Sequence, residues 1–212
     1  MARLILLIGL SCAIAQSALG QTDTVQPKGV YATIDTRPAL EMIQRLVSTS
    51  PEVHDAAIRD AIYHASEQIP PVLYALANVL SREPGRAYDA VFWYHVGRLR
   101  AVFDSLRCRD KTAKQAVTAL GRGLSKELKQ FQSDDPLRAL VIARKAIEWN
   151  SKNPHAYDHR WINLQGIAAQ TSAGDNPAAL SFPESEWPDI LRYVHETHLK
   201  SVQDFAEAKK GR

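Results

Sequence analysis

The stretch of sequence that decides the fold is residues 88–108, YDAVFWYHVGRLRAVFDSLRC. We placed these residues on an α-helix at about 100° per residue. The large side chains and one histidine fall on one side: Phe92, His95, Val96, Leu99, Val102, Phe103 and Leu106. The small residues fall on another side: Ala90, Gly97, Ala101 and Cys108. A surface helix buries one face, so this pattern predicts a central helix that buries two and lets a neighbour approach closely.

Outward from this helix, apolar residues recur every three or four positions from Pro38 onward, and strand-like alternation is nearly absent. Turn signals separate the segments: Ser50-Pro51, Pro70-Pro71, Glu83-Pro84-Gly85 and Asp135-Pro136. The sequence therefore predicts an all-α fold, a compact bundle of seven or eight helices in a single domain over 37–212. We expect one long loop at 171–186.

One helix of this bundle follows Asp135-Pro136. Its larger apolar residues are expected to face inward: Leu137, Leu140, Val141 and Ile147. A last helix is expected from about Glu186 to Lys209, with its larger residues on one side: Trp187, Leu191, Val194, His198, Val202 and Phe205.

The composition excludes several classes of protein. The 212 residues are 45% hydrophobic and 23% charged, which is typical of a globular chain and not of a disordered or collagen-like one. A formal charge of +3, with acidic residues interspersed among the basic ones, is too small to indicate a nucleic-acid partner.

The first twenty residues predict an export signal. Arg3 precedes an apolar run over 4–10, and the small-x-small patterns at Ala13-Ile14-Ala15 and Ala18-Leu19-Gly20 suit cleavage after Ala15 or Gly20. The run is far shorter than the roughly 20 residues of a transmembrane helix. Two alternatives stay open, a buried N-terminal helix and a lipoprotein signal acylated at Cys12.

The export signal implies a periplasmic or secreted protein. A mature chain that begins at Gln21 has Cys108 as its only cysteine, so no disulfide forms within it. Residues 21–36 are polar and contain Pro27 and Gly29, and we expect an extended lead-in there.

The central segment, residues 70–104, carries a family resemblance. Its first helix reads Tyr74-x-Leu76-Ala77-x-x-Leu80, and its second opens with Ala90-x-x-Trp93-Tyr94. This hairpin resembles one unit of the Sel-one-like branch of tetratricopeptide-type repeats. A weaker echo surrounds Ala139, Ala143, Ala146 and Pro154, so the bundle could consist of degenerate helical-hairpin repeats.

The resemblance implies binding to another protein and brings no catalytic residues with it. The whole chain also resembles uncharacterised secreted bacterial helical proteins, which implies no activity. We therefore expect an exported protein-binding module of the bacterial envelope, of an adaptor or immunity type.

Candidate binding residues lie near the end of the central helix. Arg98 and Arg100 are followed by Asp104 and Arg107, at spacings that allow Arg100–Asp104 and Asp104–Arg107 ion pairs on a solvated face. The alternative is an arginine-lined recess for a carboxylate, a phosphate or an acidic partner.

A second candidate is the segment 157–161. Tyr157, Arg160 and Trp161 are residue types that suit an interface hot spot, and they suit a corner between packed helices equally well.

The histidines offer an alternative function, a metal-binding protein or metalloenzyme with zinc as its cofactor. His155 and His159 are four residues apart and His195 and His198 three apart, so each pair shares one side of a helix. The pattern His195-Glu196-Thr197-His198 is one residue short of the zinc-protease motif. Buried histidines bonded to backbone carbonyls are the alternative, and His95 is expected to be a core histidine.

Catalytic signals are weak. Cys108 lies at a helix C-terminus, which disfavours a thiolate, and we expect a free structural thiol or an intermolecular disulfide. The chain has no Gly-x-Ser-x-Gly elbow and no phosphate-binding glycine loop. The sequence thus favours a binding protein without a cofactor over an enzyme.

Overall fold

The computed structural model describes residues 27–171 and 179–210. Within these ranges the chain is helical and contains no β-strand, which confirms the all-α prediction. The predicted export signal at 1–20, Cys12 and the start of the lead-in lie outside the described residues, and so does much of the 171–186 loop.

Nine α-helices make up the described part of the chain. They are α1 (Arg37–Leu46), α2 (Pro51–Tyr63), α3 (Pro70–Leu80), α4 (Ala87–Arg107), α5 (Gln115–Arg122), α6 (Lys126–Asp134), α7 (Pro136–Lys152), α8 (Ile167–Thr171) and α9 (Trp187–Lys210). All but the five-residue α8 have eight residues or more, in agreement with the predicted seven or eight helices. Short 3-10 helices span Gly29–Thr33, Lys111–Lys114, His159–Gln165 and Glu184–Glu186.

The lead-in is not extended throughout. Gly29–Thr33 form a 3-10 helix, and Tyr31 is buried against Ala169 and Leu180. The prediction of an extended segment is wrong here, because the aromatic ring of Tyr31 offers enough apolar surface to fold this turn back onto the protein.

Proline and short polar side chains start the helices as the sequence indicates. Pro51, Pro70 and Pro136 each stand first in a helix, where the missing N–H has no partner to lose. The Asp135 side chain accepts a hydrogen bond from the Arg138 backbone N–H at 2.9 Å. Gly85 ends the α3–α4 turn with φ of 78°, a conformation that disfavours other residues.

The long helix α4 is central, as predicted, and packs against α3, α7 and α9. Its small face meets α3 at Gly97. A Cβ atom placed on Gly97 would lie 3.1 Å from Leu73 Cβ and 3.1 Å from Tyr74 Cδ2, so only glycine allows this separation of the two helices. The predicted close approach is confirmed.

The helix α7 is oriented differently from the prediction. Leu137 and Val141 are 47% and 48% exposed, and neither faces inward. The buried residues of α7 are Ala139, Ile142, Ala143, Ala146 and Asn150. Helix α7 packs its alanine-rich face and Ile142 between α4 and α9, and Ile147 packs against the core, whereas Leu137 and Val141 stay outside.

Helices α3 and α4 form the helix–turn–helix expected over residues 70–104. The rings of Tyr74 and Tyr94 meet edge to face at 5.8 Å, which fastens α4 back on α3. Trp93 turns the other way and meets Trp149 of α7 at 5.4 Å. The resemblance of this hairpin to Sel-one-like repeats stays a prediction.

Candidate functional site

Arg100 is the largest side chain that is fully buried. Its Nε donates to Asn150 Oδ1 at 3.1 Å, and its Nη1 donates to the backbone oxygens of Ala65 and Ser66 at 2.9 and 3.3 Å. The guanidinium also stands 5.1 Å from the centre of the Trp149 ring. Arg100 therefore joins the end of α2 to α4 and α7, and it is not available to a partner.

Asp104 lies one turn further along α4 and is fully buried. Its Oδ1 accepts a hydrogen bond from Arg107 Nη2 at 2.6 Å, and its Oδ2 accepts from Tyr157 Oη at 3.1 Å and Trp161 Nε1 at 2.7 Å. Burial raises the pKa of this carboxyl to about 6, although all three donors favour the carboxylate. We call these residues the Asp104 cluster: Arg100, Asp104, Arg107, Asn150, Tyr157 and Trp161.

The solvated ion-pair face predicted for this part of α4 is wrong. Asp104 pairs with Arg107 in the interior, where the two side chains are 0% and 4% exposed. Arg100 does not pair with Asp104 and donates its hydrogen bonds to backbone carbonyl oxygens. The packing of α7 and the 3-10 helix His159–Gln165 covers the polar side of α4, which a single-helix pattern does not reveal.

The five predicted binding residues do not form one surface. Arg100, Tyr157 and Trp161 belong to the Asp104 cluster, so the corner between packed helices describes segment 157–161 better than an interface hot spot does. Arg160 forms a salt bridge with Asp158 at 2.7 Å and donates a hydrogen bond to Thr33 Oγ1 at 3.3 Å. Arg98 is half-buried and lines a cavity that is described below.

The four histidines predicted as metal ligands are distributed over three places. His155 and His195 both contact Asn150, at 3.1 Å each. His159 contacts Ser181 Oγ at 3.0 Å, and His198 contacts His95. Over residues 27–171 and 179–210, no group of three or more His, Cys, Asp or Glu side chains is arranged to hold a metal ion, so the predicted four-histidine site is not formed.

Burial keeps these imidazoles neutral. The pKa of His155 falls to about 3, because burial and then the nearby Arg100 guanidinium disfavour the charged ring. Burial and Arg107 lower the pKa of His159 to about 4. Neutral rings of this kind act as hydrogen-bond partners within the fold at neutral pH.

His95 and His198 form a contact of their own, which we call the His95–His198 pair. His95 Nδ1 lies 3.0 Å from His198 Nε2, and the two residues are 1% and 8% exposed. His95 is the core histidine that the sequence predicted. Its other nitrogen, Nε2, is buried and has no hydrogen-bond partner among the described residues.

Asn150 is the polar residue that the sequence reasoning missed. Helix α7 continues through Lys152 and holds Asn150 in the interior between Arg100, His155 and His195. The signal was present, since Asn150 stands four residues after Ala146 on the buried stripe of the helix.

Cys108 is a buried free thiol. Asn163 Nδ2 lies 3.0 Å from its Sγ, and burial raises its pKa to about 11. A protonated thiol without exposed surface is neither a good nucleophile nor accessible to a second chain. The structure therefore favours the structural thiol over an intermolecular disulfide.

An apolar groove of about 280 Å³ opens between α1, α3 and α5. We call it the α1–α3–α5 groove, and its lining residues are Thr36, Ala39, Leu40, Ile43, Ile69, Pro71, Ala116, Leu120, Trp161 and Gln165. None of these side chains is charged, and Leu40 at its edge is 56% exposed. The buried Trp161 ring lies at the groove, with its Nε1 already bonded to Asp104.

Two apolar side chains of this region are exposed, Leu40 in α1 and, at 63%, Val47 directly after it. Exposed apolar side chains beside an open groove are typical of a binding surface.

No helix in the described ranges is long and apolar enough to cross a bilayer. No family model, no curated protein and no solved structure matches the chain.

Proposed function

We propose that this chain is an exported protein-binding module that receives an apolar helical segment of another protein in the α1–α3–α5 groove. The observation that carries the proposal is the uncharged lining of an open groove with Leu40 exposed at its edge. The adaptor or immunity role in the bacterial envelope rests on the export signal predicted over residues 1–20.

The chemistry of the groove selects an apolar occupant. Its lining has only two polar residues, Thr36 and Gln165, and the indole N–H of Trp161 is already used by Asp104. A small polar ligand would find few groups to orient it, whereas apolar side chains would remove groove surface from water at about 25 cal/mol per Å².

The backbone of the groove selects a helix as the form of that occupant. Its walls are mainly the helices α1, α3 and α5, whose backbone N–H and C=O groups are largely bonded within each helix. The groove therefore offers no strand edge to an extended peptide. A partner that brings its own satisfied backbone, an amphipathic helix with apolar anchors, fits this surface.

Site-specific photo-crosslinking in the cells that encode the protein tests the proposal. A benzophenone amino acid replaces Leu40 in one version of the full chain and Leu137 in another. Leu137 is the matched control, because it is a leucine of similar exposure on α7 and does not line the groove. The intact mass of the protein recovered from the envelope fraction also reports whether residues 1–20 have been removed.

We expect Leu40 to yield a crosslink to one protein, at a segment with helical apolar spacing, and Leu137 to yield none to that protein. Leu40→Glu should abolish capture of the same partner, and Leu137→Glu should retain it. Equal crosslinks from both positions, or none from Leu40, would overturn the proposal. Thermal unfolding of the Leu40→Glu variant controls for misfolding.

A further inference from the structure

A second cavity, of about 410 Å³, lies between α4, α6 and α9 on another part of the molecule. Residues from all three helices line it, with contributions from α5 and α7, and its volume falls in the range of small-molecule sites. We call it the α4–α6–α9 cavity. It shares no lining residue with the α1–α3–α5 groove.

The charged side chains that line this cavity are basic. Arg98 of α4 and Lys129 of α6 line it, and none of the described lining residues is acidic. Lys129 Nζ reaches only the backbone oxygen of Arg122, at 3.3 Å, and no carboxylate lies within salt-bridge distance of Arg98 in the described ranges. Two cations without an acid between them attract an anion.

The remainder of the lining is amphipathic. The apolar side chains of Leu124, Val202 and Phe205 lie on it, and Phe205 is 40% exposed at the surface. A ligand with an apolar body would cover these side chains, and the cations fix where its charged end lies.

The His95–His198 pair supplies the polar group that points to a ligand. His95 lines the cavity, and among the described lining residues its Nε2 is a buried nitrogen without a hydrogen-bond partner. An unsatisfied buried polar atom destabilises the folded protein, so a bound group that pairs with it is favoured. When His198 Nε2–H donates to His95 Nδ1, the free His95 Nε2 carries a proton and can donate to an acceptor.

We propose that the α4–α6–α9 cavity binds a small organic anion with an apolar body, a carboxylate that pairs with Arg98 and Lys129 and accepts a hydrogen bond from His95 Nε2. The apolar body packs on Leu124, Val202 and Phe205. The site is distinct from the groove of the proposed function, and neither depends on the other.

The protonation of the two histidines supports this role. Burial lowers the pKa of His95 well below its usual value, and burial together with Arg98 lowers that of His198 to about 4. Both rings are therefore neutral at pH 7, and the tautomer in which His198 Nε2–H donates to His95 Nδ1 leaves the His95 Nε2–H free to donate to the ligand.

Displacement of anilinonaphthalene sulfonate, a fluorescent amphipathic anion, tests the proposal on the purified protein. Sodium octanoate is the main competitor. Octyl phosphate distinguishes a phosphate-bearing ligand from a carboxylate, and 1-octanol and octylammonium carry the same chain without a negative charge. We expect octanoate to displace the dye at concentrations at which 1-octanol and octylammonium do not.

Variants locate the binding. Arg98→Gln and Lys129→Gln should each weaken octanoate binding about tenfold, since each removes a charged partner. Arg144→Gln removes the same charge from an exposed position of α7 outside the cavity and should leave octanoate affinity unchanged. Leu40→Glu should also leave octanoate affinity unchanged. Failure of the cavity proposal can therefore be distinguished from failure of the groove proposal.

A readout on the unsubstituted protein covers the case in which a variant fails to fold. Imidazole ¹H–¹⁵N spectra should show His95 and His198 resonances shifting with octanoate, and those of the exposed His64 staying in place. Displacement by 1-octanol as strong as by octanoate would overturn the proposal. So would stronger displacement by octyl phosphate, or unchanged His95 and His198 resonances.

Discussion

Helix α4 carries two buried polar groups of opposite character, the Asp104 cluster and the His95–His198 pair. In the Asp104 cluster, both carboxylate oxygens of Asp104 accept hydrogen bonds, and Arg100 donates to carbonyl oxygens just after α2 and to Asn150. Arg107 Nε is the one buried atom of this cluster without a partner among the described residues, and the same guanidinium is held by Asp104 through Nη2. In the His95–His198 pair, one contact is made and His95 Nε2 is left over beside a cavity.

This difference distinguishes buried polar groups that stabilise the fold from buried polar groups that are available to bind a ligand. Buried polar atoms that are satisfied stabilise one packing arrangement, and removal of one partner lowers the free energy of unfolding. An unsatisfied atom beside open space stabilises nothing by itself but can bind a ligand. The residues that looked most like a binding site in the sequence, Arg100 and Trp161, belong to the first kind.

The largest change that we expect in the free energy of unfolding follows from lowering the pH, because buried histidines become protonated when the protein unfolds. The folded chain protonates His155 and His198 only near pH 3 and 4, whereas the unfolded chain protonates them near pH 6.5. The unfolded state therefore binds more protons in that window, and the free energy of unfolding falls as the pH falls from about 6.5 to 4. Asp104, with its pKa raised to about 6, works in the opposite direction.

The pKa values of His95, His159 and His195 are also lowered by burial and add to this loss, so at about 1.4 kcal/mol per pKa unit the free energy of unfolding should be smaller by several kcal/mol at pH 4 than at pH 7. Urea unfolding at both pH values measures it. His155→Gln and His198→Gln should each reduce the pH dependence of the free energy of unfolding. The ratio of these two reductions shows which polar region contributes more. His64→Gln, at an exposed position, should leave the slope as it is. A flat profile in the unsubstituted protein would contradict the expectation.

The next largest effect is expected from Asp104→Ala. This change leaves the Arg107 guanidinium buried without its carboxylate and removes the acceptor of Tyr157 and Trp161. The free energy of unfolding should fall by about 3–5 kcal/mol, the range for breaking one side of a buried ion pair. Urea unfolding at pH 7 measures the change.

Asp189→Ala is the matched control, since Asp189 pairs with Arg192 at the same three-residue spacing but in solvent, with side chains 75% and 66% exposed. Its loss should cost no more than about 1 kcal/mol. Similar effects at Asp104 and Asp189 would show that burial does not distinguish the two pairs. The double change Asp104→Leu with Arg107→Met should recover much of the loss, because it leaves no unpaired charge.

Much of the fold was predictable from local patterns. The two-faced pattern of residues 88–108 identified α4 as the central helix, and Gly97 indicated a close neighbour that proved to be α3. Prolines and caps gave the helix starts. These features depend on residues within one or two turns of each other, so a single sequence carries them.

The site was not predictable in the same way. Arg100 takes its partners 34 to 54 residues away, and His95 and His198 are 103 residues apart. The spacing of His195 and His198 suggested that they share a ligand, but they contact Asn150 and His95 respectively. One sequence gives the periodicity of each helix but not the neighbour that each face meets.

The helix α7 shows the same limit in its packing. Hydrophobic size favoured Leu137 and Val141 as its buried residues, and the interior accepts the alanines instead. The width of the space between α4 and α9 determines which side chains of α7 are buried. That width depends on how α4, α7 and α9 pack together, which the pattern of one helix does not show.

The smallest expected effect concerns Gly97, which lies on α4 between His95 and Arg100 and so between the two polar regions. In Gly97→Ala, the new Cβ meets Leu73 Cβ and Tyr74 Cδ2 at 3.1 Å. Leu73 Cβ is fixed to the α3 backbone, so α3 has to move. We expect the free energy of unfolding to fall by about 1 kcal/mol, despite the better helix propensity of alanine.

Gly121→Ala is the control that isolates this contact. Gly121 is also helical, and a Cβ placed on it meets nothing within 4 Å. The free energy of unfolding should therefore rise there by up to about 1 kcal/mol, from helix propensity alone. Urea unfolding of the two variants gives the difference directly. An equal gain at both positions would mean that α3 yields freely, and that the contact at Gly97 does not fix the spacing between α3 and α4.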